Sequence, residues 1–294
     1  MVERYSRGRV AFVVLNYVFL TLMAAICLMP LIHVLAVSFS SSEAAAAGYV
    51  KLWPVQFTIR SYDFVSGKKE FLDALFITLK RVGIGVPLNM LLTVLVAYPL
   101  SKETSSFRSR TLYAWLFVFT ILFSGGLIPL YMVVKDTMIM DSIWALVLPG
   151  AVPVFNVILM LNFFRGLPKE LEEAAFIDGA GHLTVLWKIY IPLSMASLAT
   201  VTLFSTVGHW NSWFDGLIFM NSPTQYPLQS YLQTVVIGQD FSLFSVKSME
   251  RYSEINDQTA KSAQIFLGAL PILLLYPFLQ RFFIKGIVLC SVKE

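Results

Sequence analysis

The sequence predicts an all-α integral membrane protein with six transmembrane helices, and three observations carry that prediction. Of its 294 residues 57% are hydrophobic and 14% charged, with a mean hydropathy of +0.70, where a soluble domain carries about 25% charged residues. Six apolar runs reach the ~20 residues that a helix needs to cross the hydrocarbon of a bilayer. Lys and Arg are denser in the segments that alternate crossings place on one side, the bias that sets membrane orientation.

The first run extends from about Val10 to Val37, behind a head holding Arg4, Arg7 and Arg9. A basic head before an apolar run also describes a signal peptide, but this run is far longer than a signal's apolar stretch, so an uncleaved helix is expected. The second runs from Val82 to Leu100, with Lys80 and Arg81 at its outer edge. Leu112 to Val134 is the third, interrupted by Ser124-Gly125-Gly126 and Pro129. Helix breaks recur at transport sites, and small residues also permit close helix packing; both readings stand. The fourth, Ile143 to Phe164, contains Pro149, Pro153 and Asn156; the fifth is Leu193 to Trp213 and the sixth Ala263 to Ile284.

With the N-terminus inside, twelve of the 22 basic residues fall in the inner segments, whose combined length is the shorter. An even number of crossings then places both termini in the cytoplasm. Loops 38–81 and 214–262 face outward, and 170–192 becomes the largest inner loop. The expected division is 1–70 as first helix and outer loop, 71–284 as a five-helix core containing loop 167–192, and 285–294 as a cytoplasmic tail.

Several functions are excluded. The net charge of +4 and the pI near 9.0 come from scattered residues, not the basic stripe of a nucleic-acid binder. Cys27 and Cys290 have no CxxC partner, so neither metal nor redox chemistry is indicated. There is no G-x-x-x-x-G-K-[ST] to cradle phosphates, no G-x-S-x-G and no H-E-x-x-H. His33, His182 and His209 are too scattered to propose a site. No residue is assigned a catalytic role.

One stretch differs from its surroundings: ELEEAAFIDGAGHLTVLWKIYIPL, Glu170 to Leu193. Leu167-Pro168 before Lys169 reads as a helix start, and Glu170, Glu172 and Glu173 complement the positive end of the helix dipole. Gly179 and Gly181 break that helix, a second helical pattern follows from Leu183 to Tyr190, and Pro192 marks the turn into the fifth crossing. An amphipathic connector at the lipid interface would explain Phe176, Ile177, Leu183 and Leu186. It would not explain Glu170, Glu172, Glu173 and Asp178, because inner-leaflet surfaces favour basic helices. A docking surface for another protein fits these acids better.

The spacing Glu173-Ala174-Ala175, three residues, Gly179, nine residues, then Ile189-x-Ile191-Pro192 resembles the EAA motif of binding-protein-dependent ABC importer permeases, with Ile191 where Leu is usual. FSGGLIPLY (123–131), HWNSWFDGLIF (209–219), YPLQ (226–229) and LQRFFIKG (279–286) are similar to the carbohydrate-uptake branch, especially its LplC-like group. The resemblance covers most of the chain from Phe71 onward. It implies a type I importer (MetI-like) permease fold, in which the loop is a cytoplasmic coupling helix held in a cleft of a separate ATPase subunit. Glu173 would pair with a basic residue there, Ala174 and Ala175 would allow close approach, and Gly179 would make the kink; Glu170 and Glu172 are either part of the contact or solvated rim charges. It further implies a bacterial inner-membrane location, a second homologous permease, an ATPase dimer that binds ATP and Mg so that this chain carries no cofactor, an extracytoplasmic solute-binding protein and a sugar substrate.

The substrate path is less legible. Asn156 and Asn162 are polar groups in apolar runs, which often face a cavity. Trp210, Asn211 and Trp213 combine flat aromatic faces with amides, as a sugar requires, yet an interfacial aromatic belt explains the tryptophans equally well. The loop Asn221 to Ser262 would receive the binding protein or simply cap the bundle. The tail from Lys285 would reach the ATPase or end freely. The alternatives from other classes are an ion-gradient secondary transporter, which would usually show an internal inverted repeat and more crossings, and an intramembrane enzyme, which would need catalytic groups.

Overall fold

The computed structural model describes residues 7–237 and 257–291, with side-chain surroundings for 8–235 and 258–277. Loop positions 238–256, among them Phe241, Phe244, Lys247, Arg251, Tyr252 and Glu254, lie outside the described residues, as do the last three residues of the expected tail. The chain divides into two compact units, 1–69 with 234–269 and 70–233 with 270–294.

In the first unit, α1 (Arg7–Ser38) is continuous through Pro30. Its large side chains from Val10 to Ile32 are exposed all round, the pattern of a helix whose solvent is hydrocarbon or a partner helix. The segment after it is not a plain loop. Ser41 caps α2 (Ser42–Ala46) by accepting from the Ala44 amide at 3.3 Å, and Ala44 and Ala45 pack on Ala36 and Val37 of α1. Tyr62 of α3 (Arg60–Ser66) meets the Ser38 hydroxyl at 2.7 Å, while His33 Nδ1 lies 2.6 Å from the Lys51 carbonyl oxygen. The post-helix segment is thus folded back onto the end of α1.

The second unit is built around α4 (Lys69–Ser101), which starts thirteen residues ahead of the expected run. Thr78, Arg81, Gly85, Asn89, Thr93, Ala97 and Leu100 form one buried stripe along it, at the three- and four-residue spacing of a single helix face. The third run is two helices, α5 (Arg110–Leu122) and α6 (Leu127–Asp136), bent by 113°. The break falls at Ser124-Gly125-Gly126, where Gly126 has φ +85°, a conformation an L side chain rarely adopts. The fourth run is divided into α7 (Ile143–Val147) and α8 (Val154–Arg165). Pro153 cannot extend a helix that precedes it.

Next come α9 (Lys169–Ile177), α10 (His182–Leu193) and α11 (Met195–Asn211), the last two bent by 84° at Ser194. Short α12 (Phe214–Phe219) and α13 (Leu228–Ile237) follow. The last helix, α14 (Asp257–Ser291), begins before the expected sixth crossing and continues past it through most of the expected tail. By length and composition, α1, α4 and the Gln258–Pro277 part of α14 can each cross a membrane, and each bent pair counted as one span raises the total among the described residues to five. In the expected crossing at 143–164 the longer helix is the twelve-residue apolar α8, behind the five-residue α7.

The largest core gathers Val94, Ala97 and Tyr98 of α4, Val157, Met160 and Phe164 of α8, Val185, Leu186 and Tyr190 of α10, and Val201 of α11. Between lipid-facing helices there is no water to expel, so tight packing rather than hydrophobic transfer holds such a bundle. This core sets the position of the elbow formed by α9 and α10.

Candidate functional site

The elbow is a local consequence of its sequence. Pro168 stands at the N-cap of α9, and Glu170 and Glu172 lie in its first turn, where carboxylates oppose the helix dipole. At the other end Gly179 takes φ +81°. Its amide donates to the Phe176 carbonyl at 3.0 Å and the Ala180 amide to the Ala175 carbonyl at 2.9 Å. This pair of bonds around a left-handed residue is the Schellman ending, which satisfies two of the helix's last carbonyls. Gly181, with φ −82°, then starts α10 in an ordinary extended conformation.

Within α10, Leu186–Tyr190 is wound as a π-helix, and the Ile191 amide reaches back five residues to Leu186. Pro192 supplies the reason: it has no N–H for Lys188, and its ring would crowd that carbonyl in a regular α-turn. Pro192 therefore sits inside α10, and the bend into the next helix falls two residues later.

Glu172 and Glu173 are neighbours in sequence but point about 100° apart on a helix of 3.6 residues per turn. Glu173 is exposed, with Glu170, Ala174, Asp178 and Gly179, beside Leu171 and an 86% exposed Ile177. Ala175 is half-buried. Glu172 turns inward, its side chain only 15% exposed. Its Oε1 accepts from Lys102 Nζ at 2.7 Å and its Oε2 from the Tyr190 hydroxyl. Lys102 also reaches the Tyr190 hydroxyl at 3.0 Å, and its ammonium lies 3.9 Å from the Tyr98 ring centre and 4.1 Å from that of Tyr190. Burial pushes the Lys102 ammonium below its usual pKa, and the bond to Glu172 works against that shift. Tyr98 in turn meets His182 Nδ1 at 3.3 Å. Of the two readings left open for Glu172, neither a solvated rim charge nor a free docking charge describes this carboxylate.

A second ionic group lies elsewhere in the same unit. Arg81 is 3% exposed, inside α4 rather than at its edge. Its guanidinium is bidentate to Asp215 and also donates to the Ser212 carbonyl at 3.2 Å. Its Nε–H lies 3.3 Å from His209 Nδ1. That donor needs an unprotonated Nδ1, so the His209 proton is on Nε2, which donates at 3.2 Å to Asn89 when the Asn89 amide is turned to suit its neighbours. A Cβ on Gly85 would lie 2.5 Å from His209 Nε2; only glycine lets the ring come so close.

The residues expected along a substrate path are not one cluster. Asn156 is buried and donates to the Ser205 hydroxyl of α11 at 3.1 Å, a helix-to-helix bond, while Asn162 is exposed on α8. Trp210 is 4% exposed, Asn211 is exposed, and Trp213 is 40% exposed with its ring edge-on to Phe214 at 5.5 Å. Sequence reasoning missed the Arg81–His209–Asp215 group and the Lys102–Glu172–Tyr190 group. A signal existed for the first: an arginine beside a long apolar run and an aspartate inside HWNSWFDG are costly charges that need partners.

Comparison with known proteins agrees with this architecture. Residues 64–288 match the family described as binding-protein-dependent transport system inner membrane component. The chain is 38% identical over 282 residues to the polygalacturonan/rhamnogalacturonan transport system permease protein YtcP of Bacillus subtilis, covering 96% of this chain and 98% of that one. It is 39% identical over 286 residues to Protein LplC of the same organism, covering 97% and 96%. A crystal structure of a bacterial ABC transporter involved in the import of the acidic polysaccharide alginate contains a chain that superposes with a TM-score of 0.89 at 31% identity, covering 96% of this chain and 100% of that chain. A chain from the alginate transporter in complex with an alginate pentasaccharide-bound periplasmic protein gives 0.51 at 15% identity, a likeness of fold alone. The helical arrangement is therefore the MetI-like permease fold. On a match that spans 64–288 and on relatives close to 40% identical over nearly the whole length, this chain belongs to the family of inner-membrane permease components of binding-protein-dependent ABC transport systems.

Proposed function

We propose that this chain is one permease subunit of an ATP-driven importer for oligosaccharides or related sugars, working by alternating access. The relatives support the substrate class: YtcP is named for polygalacturonan and rhamnogalacturonan transport and the solved transporter for alginate. The observation that carries the mechanism is the free face of α9. Glu173, Ala174 and Ile177 stand exposed on a helix whose other face is pinned to the unit's core. Such a face offers exposed carboxylates, Glu173 with Glu170 one turn before it, a small-residue approach and an apolar knob to a partner.

In this reading a separate ATPase dimer binds ATP and Mg and grips the elbow, and Glu173 pairs with one of its basic residues. Closure of that dimer draws this elbow towards that of a second, homologous permease, and the pathway opens towards a docked solute-binding protein. The elbow and both termini lie in the cytoplasm of a bacterium, and six segments cross the inner membrane, 143–164 among them. The ion-gradient alternative draws no support from the relatives named above. The ATPase-coupling set is Glu173, Ala174, Ala175, Gly179 and Pro192, with Glu170 and Asp178 at its rim and Glu172 as an internal tie.

The test is reconstitution of the complex with its binding protein and a panel of polygalacturonan, alginate and maltodextrin oligomers. ATP hydrolysis should rise with at least one of them. Glu173→Lys should remove that rise, because stranding a charge at an interface costs about 2–5 kcal/mol. Full sugar-stimulated hydrolysis in Glu173→Lys would overturn the assignment.

A further inference from the structure

The two ionic groups sit on one helix. Lys102, just past the end of α4, holds α9 through Glu172 and α10 through Tyr190. The last carbonyls at that end are taken as well, Leu100 by Arg165 at 3.3 Å and Lys102 by Arg110 at 3.0 Å, so this end of α4 is tied to four neighbours. Arg81, 21 residues earlier on the same helix, holds the α11–α12 junction through His209, Ser212 and Asp215. At 1.5 Å per residue the two joints stand about 30 Å apart, roughly the thickness of the bilayer hydrocarbon. Between them Gly85, Asn89, Thr93 and Ala97 keep one face of α4 buried without interruption.

We propose that α4 is the transmission rod of this permease, with Lys102–Glu172–Tyr190 as its joint at the elbow and Arg81–Asp215–His209 as its joint at the opposite end. The inference rests on the proposed function, since it takes the elbow to be what the ATPase moves. Charge-assisted bonds are the strongest of the side-chain contacts, and rigid elements joined by such networks are how coupling crosses a protein. A displacement of α9 is carried by Glu172 to Lys102, along α4, and by Arg81 to α12 and the Pro223–Gln225 turn behind it. Lys102 and Tyr190 are positioning residues: neither faces the ATPase.

The rod is tested in the assembled complex, in nanodiscs, with Cys27 and Cys290 replaced by serine and a single reporter, Thr224→Cys, on that turn. The reading is the rate of maleimide labelling without nucleotide and after trapping with ATP and vanadate. With the rod intact, trapping should change the rate by about fivefold or more, the lower range of allosteric couplings. Lys102→Met keeps the stem against the tyrosine rings and removes the charge; it should collapse that change while the ATPase subunit still co-purifies. Tyr190→Phe, which loses only the hydroxyl, should weaken it partway, and Lys102→Arg should restore it. Lys169→Met breaks the exposed pair with Glu103 and should leave it intact. If Lys102→Met and Tyr190→Phe both respond like the parent, α4 is not the rod. If the parent shows no response to trapping, α4 carries no displacement to that turn and the rod fails; if the parent recovers no ATPase subunit, the importer reading itself fails.

Discussion

Arg81 shows what a charge inside such a chain requires. Four of its five N–H donors meet the two carboxylate oxygens of Asp215, the Ser212 carbonyl and an imidazole nitrogen of His209. The Ser212 hydroxyl and the Gly216 amide also donate to the Asp215 carboxylate, each at 2.9 Å. A buried pair of this kind adds little net stability over apolar replacements, but loss of one partner strands the other and costs about 3–5 kcal/mol. Asp215→Leu should therefore lower the thermal stability of the detergent-solubilised chain sharply. Arg81→Met combined with Asp215→Leu should recover most of the loss, and a double variant no better than the single one would refute the account. At the surface, Lys169 holds the Glu103 carboxyl below its usual pKa, yet an exposed pair of this kind is screened and stabilises little.

At the scale of elements, the α9–α10 elbow is held by backbone geometry as much as by side chains. Gly179 ends α9 in the left-handed region, where an L residue costs about 1–2 kcal/mol, whereas Gly181 has an ordinary φ and open space for a Cβ. Gly179→Ala should therefore speed amide exchange in the last turn of α9 by about tenfold, and Gly181→Ala should leave it unchanged. Equal effects of the two would mean that the left-handed turn does not set the elbow. The motif spacing from Glu173 to Pro192 was visible in the sequence; the π-turn that fits Pro192 into a continuous α10 was not, because a missing donor makes itself felt only through the carbonyls it leaves behind.

At the scale of the whole molecule, α1 and α5 leave apolar side chains such as Phe12, Phe19, Trp115 and Phe119 exposed, surface that needs lipid or a partner permease to cover it. In the orientation proposed from the density of Lys and Arg, the elbow lies inside. Membrane-impermeant maleimide applied to intact cells should then spare single cysteines placed at Ser105 and Asp178 and label one at Thr224. Labelling at Ser105 and Asp178 with Thr224 spared would invert the orientation.

Composition, apolar run length and motif spacing were enough to establish a membrane protein of helices, the position of the acidic elbow and its kink at glycine, because those properties are local: each depends on residues within a turn or two of one another. Tertiary structure alone decided which of two adjacent glutamates stands exposed and which is tied to Lys102 and Tyr190, and that Arg81 belongs to a buried group with residues 128 and 134 positions away. It also moved the bend into the fifth run from Pro192 to Ser194 and showed that Asn156 bonds a neighbouring helix. These outcomes depend on which helix faces meet, and a buried charge or amide takes whichever partner the packing brings within reach, however distant it is along the chain.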